Sequence, residues 1–321
     1  MQRILNYLRI SVTDRCNLRC IYCMPKNGVK LKKHSEIINI EEIYFLVKSL
    51  SEIGFNKIRL TGGEPLLKKN IEVLIKNISS IKKIKDISIT TNGILLKDKI
   101  KKLKESGLNR LNISIDTLNE KKFKYITRFG NISDVLKGID EALKLKISPL
   151  KLNVVVIKNF NDNEILYFVD FAKEKKIQVR FIELMPVGTI SKEFKEKYFP
   201  IKKVKNIILK KNKLTYTNKI ITNGPSENFI IDNTNTSVGF IESFNNHFCE
   251  RCNKIRITSD KKVRLCLHNN IEYDIQRLLI KKDSNEIKRF FKKIILLKPE
   301  KHNMFQKKWS EKDRTMSQIG G

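Results

Sequence analysis

The chain has 321 residues, 40% of them hydrophobic, and carries 65 Lys and Arg against 34 Asp and Glu, a formal net charge of +31. That length allows a large core, as one big domain or a large domain with a smaller one, and excludes a mini-domain stapled by disulfides. No run of about 18 uncharged apolar residues occurs, which excludes a helical membrane span, and no charged-then-apolar leader follows Met1. The charge could mark a nucleic-acid binder or a polyanion site. It is spread, however, over lysine runs at 30–33, 82–85, 97–104, 202–213 and 281–293, in a chain also rich in Ile and Asn. Lys, Ile and Asn together point to an AT-rich coding bias, so most lysines read as solvated surface. Arginines within motifs say more, because guanidinium grips phosphate in a bidentate fork.

In chain order, residues 7–12 (YLRISV) read as a strand running into a cysteine loop, and 40–50 has helical apolar spacing. A short strand at 57–61 ends in Gly62-Gly63, and a strand at 87–90 ends at Asn92-Gly93. A basic helix at 95–105, closed by Gly107, precedes a strand at 110–115. A helix at 135–145, a buried-type strand at 152–157, a helix at 165–175 and a strand at 178–183 ending at Met185-Pro186 follow. This alternation predicts a parallel sheet with right-handed crossovers. Six units are too few for a closed eightfold barrel, so the expected fold is α/β, a partial (β/α)6 barrel over 1–190. In such folds the site lies at the C-terminal ends of the strands. The cysteine loop, Gly62-Gly63-Glu64-Pro65, Thr91-Asn92-Gly93, Asp116 and Met185-Pro186 all fall there.

Beyond about residue 190 the alternation stops. Residues 192–212 read as a lysine-rich linker with a surface helix, and 214–238 as short strand-like runs between Asn, Thr and Gly turns. A second cysteine group, a basic helical stretch and a tail ending RTMSQIGG complete the chain. The expectation for 191–321 is a smaller C-terminal α+β region. No internal repeat is present.

All six cysteines fall into two triplets: Cys16, Cys20 and Cys23 as C-x3-C-x2-C, and Cys249, Cys252 and Cys266 as C-x2-C-x13-C. Grouped thiols at loop spacings fit metal binding better than disulfides and, with no leader, fit a reducing cytoplasm. Three thiolates on a four-iron cubane leave one iron open to a small molecule. The expectation is therefore two [4Fe–4S] clusters, the second in the C-terminal region. Zinc is the rival at the second triplet, with His247 or His268 as fourth ligand.

With C-x3-C-x2-C followed by Gly62-Gly63-Glu64-Pro65, the chain resembles the radical S-adenosylmethionine (SAM) enzymes. There three cysteines hold a [4Fe–4S] cluster whose open iron binds SAM, and the reduced cluster yields a 5′-deoxyadenosyl radical. Residues 7–25 (YLRISVTDRCNLRCIYCMP), 181–188 (FIELMPVG) and 248–267 (FCERCNKIRITSDKKVRLCL), with Gly320-Gly321, narrow the resemblance to the GTP 3′,8-cyclases of molybdenum-cofactor biosynthesis. The resemblance implies that the radical takes the 3′ hydrogen of GTP and that the sugar then attacks C8 of guanine. The product is 3′,8-cyclo-7,8-dihydro-GTP.

It further implies that Cys16, Cys20 and Cys23 carry the radical-generating cluster and that the second cluster anchors guanine. SAM would be contacted by Tyr22, Gly63, Ser114 and Met185, and GTP by Arg9, Arg59, Thr90, Lys151, Lys254, Ile255 and Arg256. The glycine pair would let backbone approach SAM closely, and Gly320 and Gly321 would enter the active site. Where the family usually has Asn-Arg-x-Arg, this chain has Asn253-Lys254-Ile255-Arg256. A phosphate contact is expected to survive at Lys254 and a bidentate one is not. Implied partners are cyclic pyranopterin monophosphate synthase downstream, an electron donor such as flavodoxin or ferredoxin, and a second copy in a homodimer. Neither a membrane nor a nucleic acid is expected. Two other readings compete: a peptide-modifying radical SAM enzyme, and a zinc-bearing nucleic-acid binder using the positive charge.

Overall fold

The computed structural model describes residues 3–217, 226–243, 248–301 and 314–320. Strand β1 (Tyr7–Ser11) is followed by α1 (Ile40–Ser51), β2 (Lys57–Thr61), α2 (Ile71–Ser79), β3 (Asp86–Thr91), α3 (Leu96–Glu105) and β4 (Arg110–Ser114). Helices α4 (Glu120–Thr127) and α5 (Ile132–Lys144) lead to β5 (Leu150–Val156), α6 (Ile165–Lys175) and β6 (Gln178–Glu183). Four of the helices start at a short polar side chain that satisfies donors of the first turn. Asn39 accepts from the Glu42 amide and Glu42 answers on Asn39, a capping box; Asn119, Asn131 and Asp283 also accept from the first turn of their helices.

Strands β1 to β6 pair in sequence order, all parallel. Their residues alternate, which is unusual for a parallel sheet covered on both faces. Leu8, Ile10, Ile58, Leu60, Ile87, Ile89, Leu111, Ile113, Leu152, Val154, Val179 and Phe181 lie in the main hydrophobic core. The intervening Arg9, Arg59, Ser88, Asn112, Lys151, Asn153 and Arg180 pair side by side across neighbouring strands and, by the period-2 rule, share the opposite face. Residues of all six strands or their ends line one cavity. A flat sheet could not bring them there, so the array is curved into a partial (β/α)6 barrel with a polar lumen.

The C-terminal region supplies α7 (Phe194–Lys197), α8 (Ile201–Leu209), β7 (Leu214–Tyr216), β8 (Glu227–Ile231), β9 (Ser237–Ile241), β10 (Lys254–Ile257), β11 (Lys262–Arg264), β12 (Tyr273–Asp274), α9 (Gln276–Lys281) and α10 (Ser284–Ile295). It joins both edges of the same sheet. β10 pairs parallel with β1 and β9 parallel with β6, and short antiparallel strands continue outward in the order β12-β11-β10-β1-β2-β3-β4-β5-β6-β9-β8-β7. The edges that a six-stranded barrel would leave with unpaired backbone groups are thereby covered. Helix α8, anticipated as a surface helix, buries Ile201, Val204 and Ile208 in the core. Among the described residues no helix is long and apolar enough to cross a membrane.

Candidate active site

The cavity has a volume of about 320 Å³, and all six cysteines line it. The first triplet sits in the loop after β1. The backbone amides of Arg19 and Ile21 donate to the carbonyls of Thr127 and Ile126 at 3.0 Å each, tying this loop to the end of α4. The Arg128 guanidinium donates to the carbonyls of Arg19 (2.8 Å) and Met24 (3.1 Å). On the other side the Gly62-Gly63-Glu64 turn stacks on the chain entering the loop. Gly63 N donates to Thr13 O at 2.9 Å and Glu64 N to Arg15 O at 2.8 Å. A Cβ on Gly62 would stand 2.6 Å from Thr13 O, and one on Gly63 2.2 Å from Arg15 O. The glycines are thus demanded first by backbone packing between two strand-end loops.

Burial pushes the thiols of the first triplet up, and neighbouring cysteines and carboxylates push further. Cys16 is raised and Cys20 raised strongly; Cys23 is lifted to about 12 by burial and then by Cys16. Three half-buried thiols whose ionised forms would repel one another need cationic irons to become thiolates together, so this donor set fits an iron–sulfur cluster. Around it, Glu64 is buried and pushed up to about 7, although it accepts from Asn92 N (2.7 Å), Thr91 Oγ1 (2.7 Å) and Leu66 N (3.0 Å). Asp116 is likewise lifted to about 6 by burial. It accepts from the Tyr22 hydroxyl at 2.7 Å and the Val155 amide at 2.9 Å, which ties the cysteine loop to β5.

The second triplet lies by the ends of β10 and β11. Arg3 donates to the Cys249 carbonyl at 2.7 Å, and Lys298 Nζ donates to the Lys254 carbonyl at 2.9 Å and to that of Leu265. Burial opposes ionisation of Cys252, but Lys298, Lys254 and Arg256 outweigh it and hold the thiol below its ordinary value. His268 is buried and lines the cavity beside Cys266; His247 lies outside the described residues. Among the described residues no three His, Cys, Asp or Glu side chains are gathered closely enough to hold a single metal ion.

The lumen below is cationic. Burial, then neighbouring cations, pulls Arg9 and Lys254 well below their ordinary values. Lys151 is pulled down to about 6 by burial and then by Arg180, Arg110 and Arg59, and Arg180 to about 9 by burial and then by Arg59. Burial takes Arg256 to about 10. Polar atoms here also lack partners among the described residues: Thr90 Oγ1, Asn153 Oδ1, Asn112 Oδ1, Arg180 Nε and the Tyr7 hydroxyl. Cations stripped of water, with orphaned donors and acceptors beside them, call for a polar anion.

Of the residues expected to contact SAM, Tyr22, Gly63, Ser114 and Met185 all line the cavity. Of those expected to contact GTP, Arg9, Arg59, Thr90, Lys254 and Arg256 line it; Lys151 is buried and is not among the lining residues, and the Ile255 side chain packs in the hydrophobic core. The tail also reaches the site. Gly320 O accepts from Arg9 Nε (2.7 Å), Thr61 Oγ1 (3.3 Å) and Arg256 Nη1 (3.4 Å); Gly321 lies outside the described residues. Arg180, Asn153 and Lys298 also line the cavity and were not anticipated from the sequence. Arg180 carried a usable signal: a charged residue at an inward position of a strand otherwise fit for burial.

The profile of the radical SAM superfamily matches residues 10–172, and that of Molybdenum Cofactor Synthesis C matches 177–304. The chain is 46% identical over 321 residues to a GTP 3′,8-cyclase of Moorella thermoacetica, covering 100% of this chain and 98% of the relative. It is also 46% identical, at the same coverages, to a GTP 3′,8-cyclase of Alkaliphilus metalliredigens. In structure it is similar to Streptococcus suis SuiB bound to S-adenosylmethionine, with a TM-score of 0.59 at 15% identity. That similarity covers 87% of this chain and 66% of SuiB, a longer chain, and carries the fold alone.

Proposed function

The chain belongs to the GTP 3′,8-cyclase family of radical SAM enzymes, and on that premise we propose how its cavity divides the work. The enzyme converts GTP to 3′,8-cyclo-7,8-dihydro-GTP, the first step of molybdenum-cofactor biosynthesis. Cys16, Cys20 and Cys23 would hold a [4Fe–4S] cluster, which with SAM would supply the radical chemistry of the superfamily. Tyr22, Gly63, Ser114 and Met185 hold SAM beside it, and the buried carboxylates of Glu64 and Asp116 suit its cationic groups. Cys249, Cys252 and Cys266 would hold a second [4Fe–4S] cluster, which would anchor the guanine.

The triphosphate descends into the lumen. Arg9, Arg59, Lys151, Lys254, Arg256 and Arg180 neutralise it, Thr90 meets a sugar or phosphate oxygen, and Ile255 contributes through its backbone alone. Gly320 closes the cavity on the substrate. The barrel domain runs over 1–190 and the auxiliary-cluster region over 191–321, with the sheet continuous between them. Flavodoxin or ferredoxin as reductant, cyclic pyranopterin monophosphate synthase downstream and a homodimer complete this reading.

The observation that carries the reading is the lumen: depressed cations and orphaned polar groups in a cavity lined by both cysteine triplets. Its test is anaerobic. The protein is reconstituted with iron and sulfide, reduced, given SAM and each nucleoside triphosphate in turn, and 5′-deoxyadenosine is quantified. Deoxyadenosine formation that is raised by GTP and by no other triphosphate, and that carries deuterium from 3′-labelled GTP, is the expected result. Formation indifferent to GTP would overturn it in favour of another substrate.

A further inference from the structure

Between the Cys266 loop and the C-terminal tail runs a chain of ion pairs that the catalytic reading does not use. Arg264, 1% exposed, donates from Nη1 to Glu272 Oε1 at 2.8 Å and from Nη2 to the carbonyls of Asn269 and Leu267. It thereby closes the loop that carries Cys266 and His268. Glu272 also meets Arg314, with Nε at 2.7 Å from Oε1 and Nη2 at 2.8 Å from Oε2. The far edge of the same guanidinium takes both oxygens of Asp260, at 3.0 and 2.8 Å, and Thr258 Oγ1 fixes that carboxylate from behind at 2.7 Å.

From Arg314 the tail turns at once. The side chains of Thr315 and Gln318 form a capping box, and Ile319 and Ser317 are buried. Ser317 lines the cavity with Cys23 and works against the rise that burial imposes on that thiol. Gly320, at φ +80°, then delivers its carbonyl to Arg9, Thr61 and Arg256. Residues 314–320 thus form a strap from the loop of the second triplet to a ligand of the first and on to the lumen.

We propose that Arg314, gripped by Asp260 and Glu272, is the latch that registers this strap, so that Gly320 reaches the lumen only when Arg264 has closed the Cys266 loop. Arg314 is a positioning residue: it touches no substrate and acts through the strap. The inference rests on the cyclase reading of the cavity. The physical case is that a single exposed ion pair contributes little, whereas a planar fork shared by two partly buried carboxylates is both strong and directional. The strap has no long helix or strand of its own to hold it. Glu272 is shared by Arg264 and Arg314, so disorder in the Cys266 loop loosens the latch, and release of the latch loosens the loop.

The test uses the full-length, reconstituted protein with Arg314→Ala, Arg314→Lys and Asp260→Asn. Two readouts are taken: amide hydrogen exchange over 315–320 against β1 and β2, and cyclised product per 5′-deoxyadenosine formed. In Arg314→Ala, tail exchange should quicken by about tenfold or more while β1 and β2 are unchanged, and product per deoxyadenosine should fall. Arg314→Lys, with charge but no fork, and Asp260→Asn should lie between. Should Arg314→Ala not fold, the two milder variants carry the test. Tail exchange within about twofold of the parent in all folded variants, with the product ratio unchanged, would overturn the latch. If the parent makes no product from GTP, the cyclase reading fails while tail exchange still tests the latch.

Discussion

The two cysteine triplets open on one cavity, yet they sit in surroundings of opposite sign. Around Cys16, Cys20 and Cys23 stand Glu64 and Asp116, and burial with mutual repulsion pushes the thiols up. Around Cys252 stand Lys298, Lys254 and Arg256, and the thiol is pulled down in spite of burial. Identical ligand atoms are thus prepared for different companions. A site with spare buried carboxylates favours a cationic ligand, as SAM is, and a site flanked by half-buried cations favours an anionic one, as GTP is. On the proposed reading, the division of labour in the cavity follows from the charge around each triplet rather than from the cysteines.

The strongest way to break that comparison is to remove one triplet at a time. Cys20→Ala should abolish deoxyadenosine formation with or without GTP. Cys252→Ala should leave SAM cleavage in place, lose cyclised product, and lose roughly half of the bound iron if each triplet carries a four-iron cluster. Iron analysis and chromatography of the two products check both. Equal loss of SAM cleavage in the two variants would remove the distinction.

A smaller effect separates the lumen from the first triplet. Arg180→Ala removes a cation that touches neither the tail nor the cysteines in the contacts described. A charge-assisted hydrogen bond contributes about 1.5–3 kcal/mol, so KM for GTP should rise roughly 10- to 100-fold. SAM affinity, measured by equilibrium binding, should stay within about twofold. Smaller again is Gly320→Ala. A Cβ there stands 3.1 Å from Thr61 Cγ2 and 3.2 Å from Ser11 Cβ, at a positive φ. The strain of about 1–3 kcal/mol should reduce turnover by roughly 5- to 100-fold, with the Tm of the barrel unchanged.

Much of the barrel was legible in the sequence, because β2, α6 and β6 carry their own periodicity and their bounds match the pattern. Helices α2 and α4 were not foreseen. In α2 the preceding Asn70 sits at φ 58° and makes no side-chain cap, and α4 buries only Phe123, Ile126 and Thr127 on a lysine-rich stretch. The placement of β9 and β10 was illegible for another reason. Pairs such as Tyr7↔Lys254 and Gln178↔Ser237 join distant segments, and no local pattern encodes them. Motif residues came together at strand ends as expected. Lys151 was anticipated only through the family resemblance, and Arg180 was missed although its charge on a strand otherwise fit for burial was a signal; aligning neighbouring strands makes the row of cations plain.

That row makes the last prediction, and the subtlest. Lys151 ordinarily holds its proton to 10.5, but in the folded lumen it releases it near 6, through burial and then through Arg180, Arg110 and Arg59. Between those values the unfolded chain binds more protons than the folded one, so this group makes stability rise with pH from about 6 to about 10. The free protein therefore carries a neutral Lys151 at pH 8. A triphosphate brought beside it restores the charged form, so GTP binding must take up protons. Calorimetric titration with GTP at pH 8, in two buffers of different ionisation enthalpy, should report net uptake. Lys151→Met should reduce that uptake and flatten the rise of Tm with pH above 6. Uptake equal in parent and variant would mean that the triphosphate lies beyond the reach of Lys151, with the upper cations of the lumen carrying it alone.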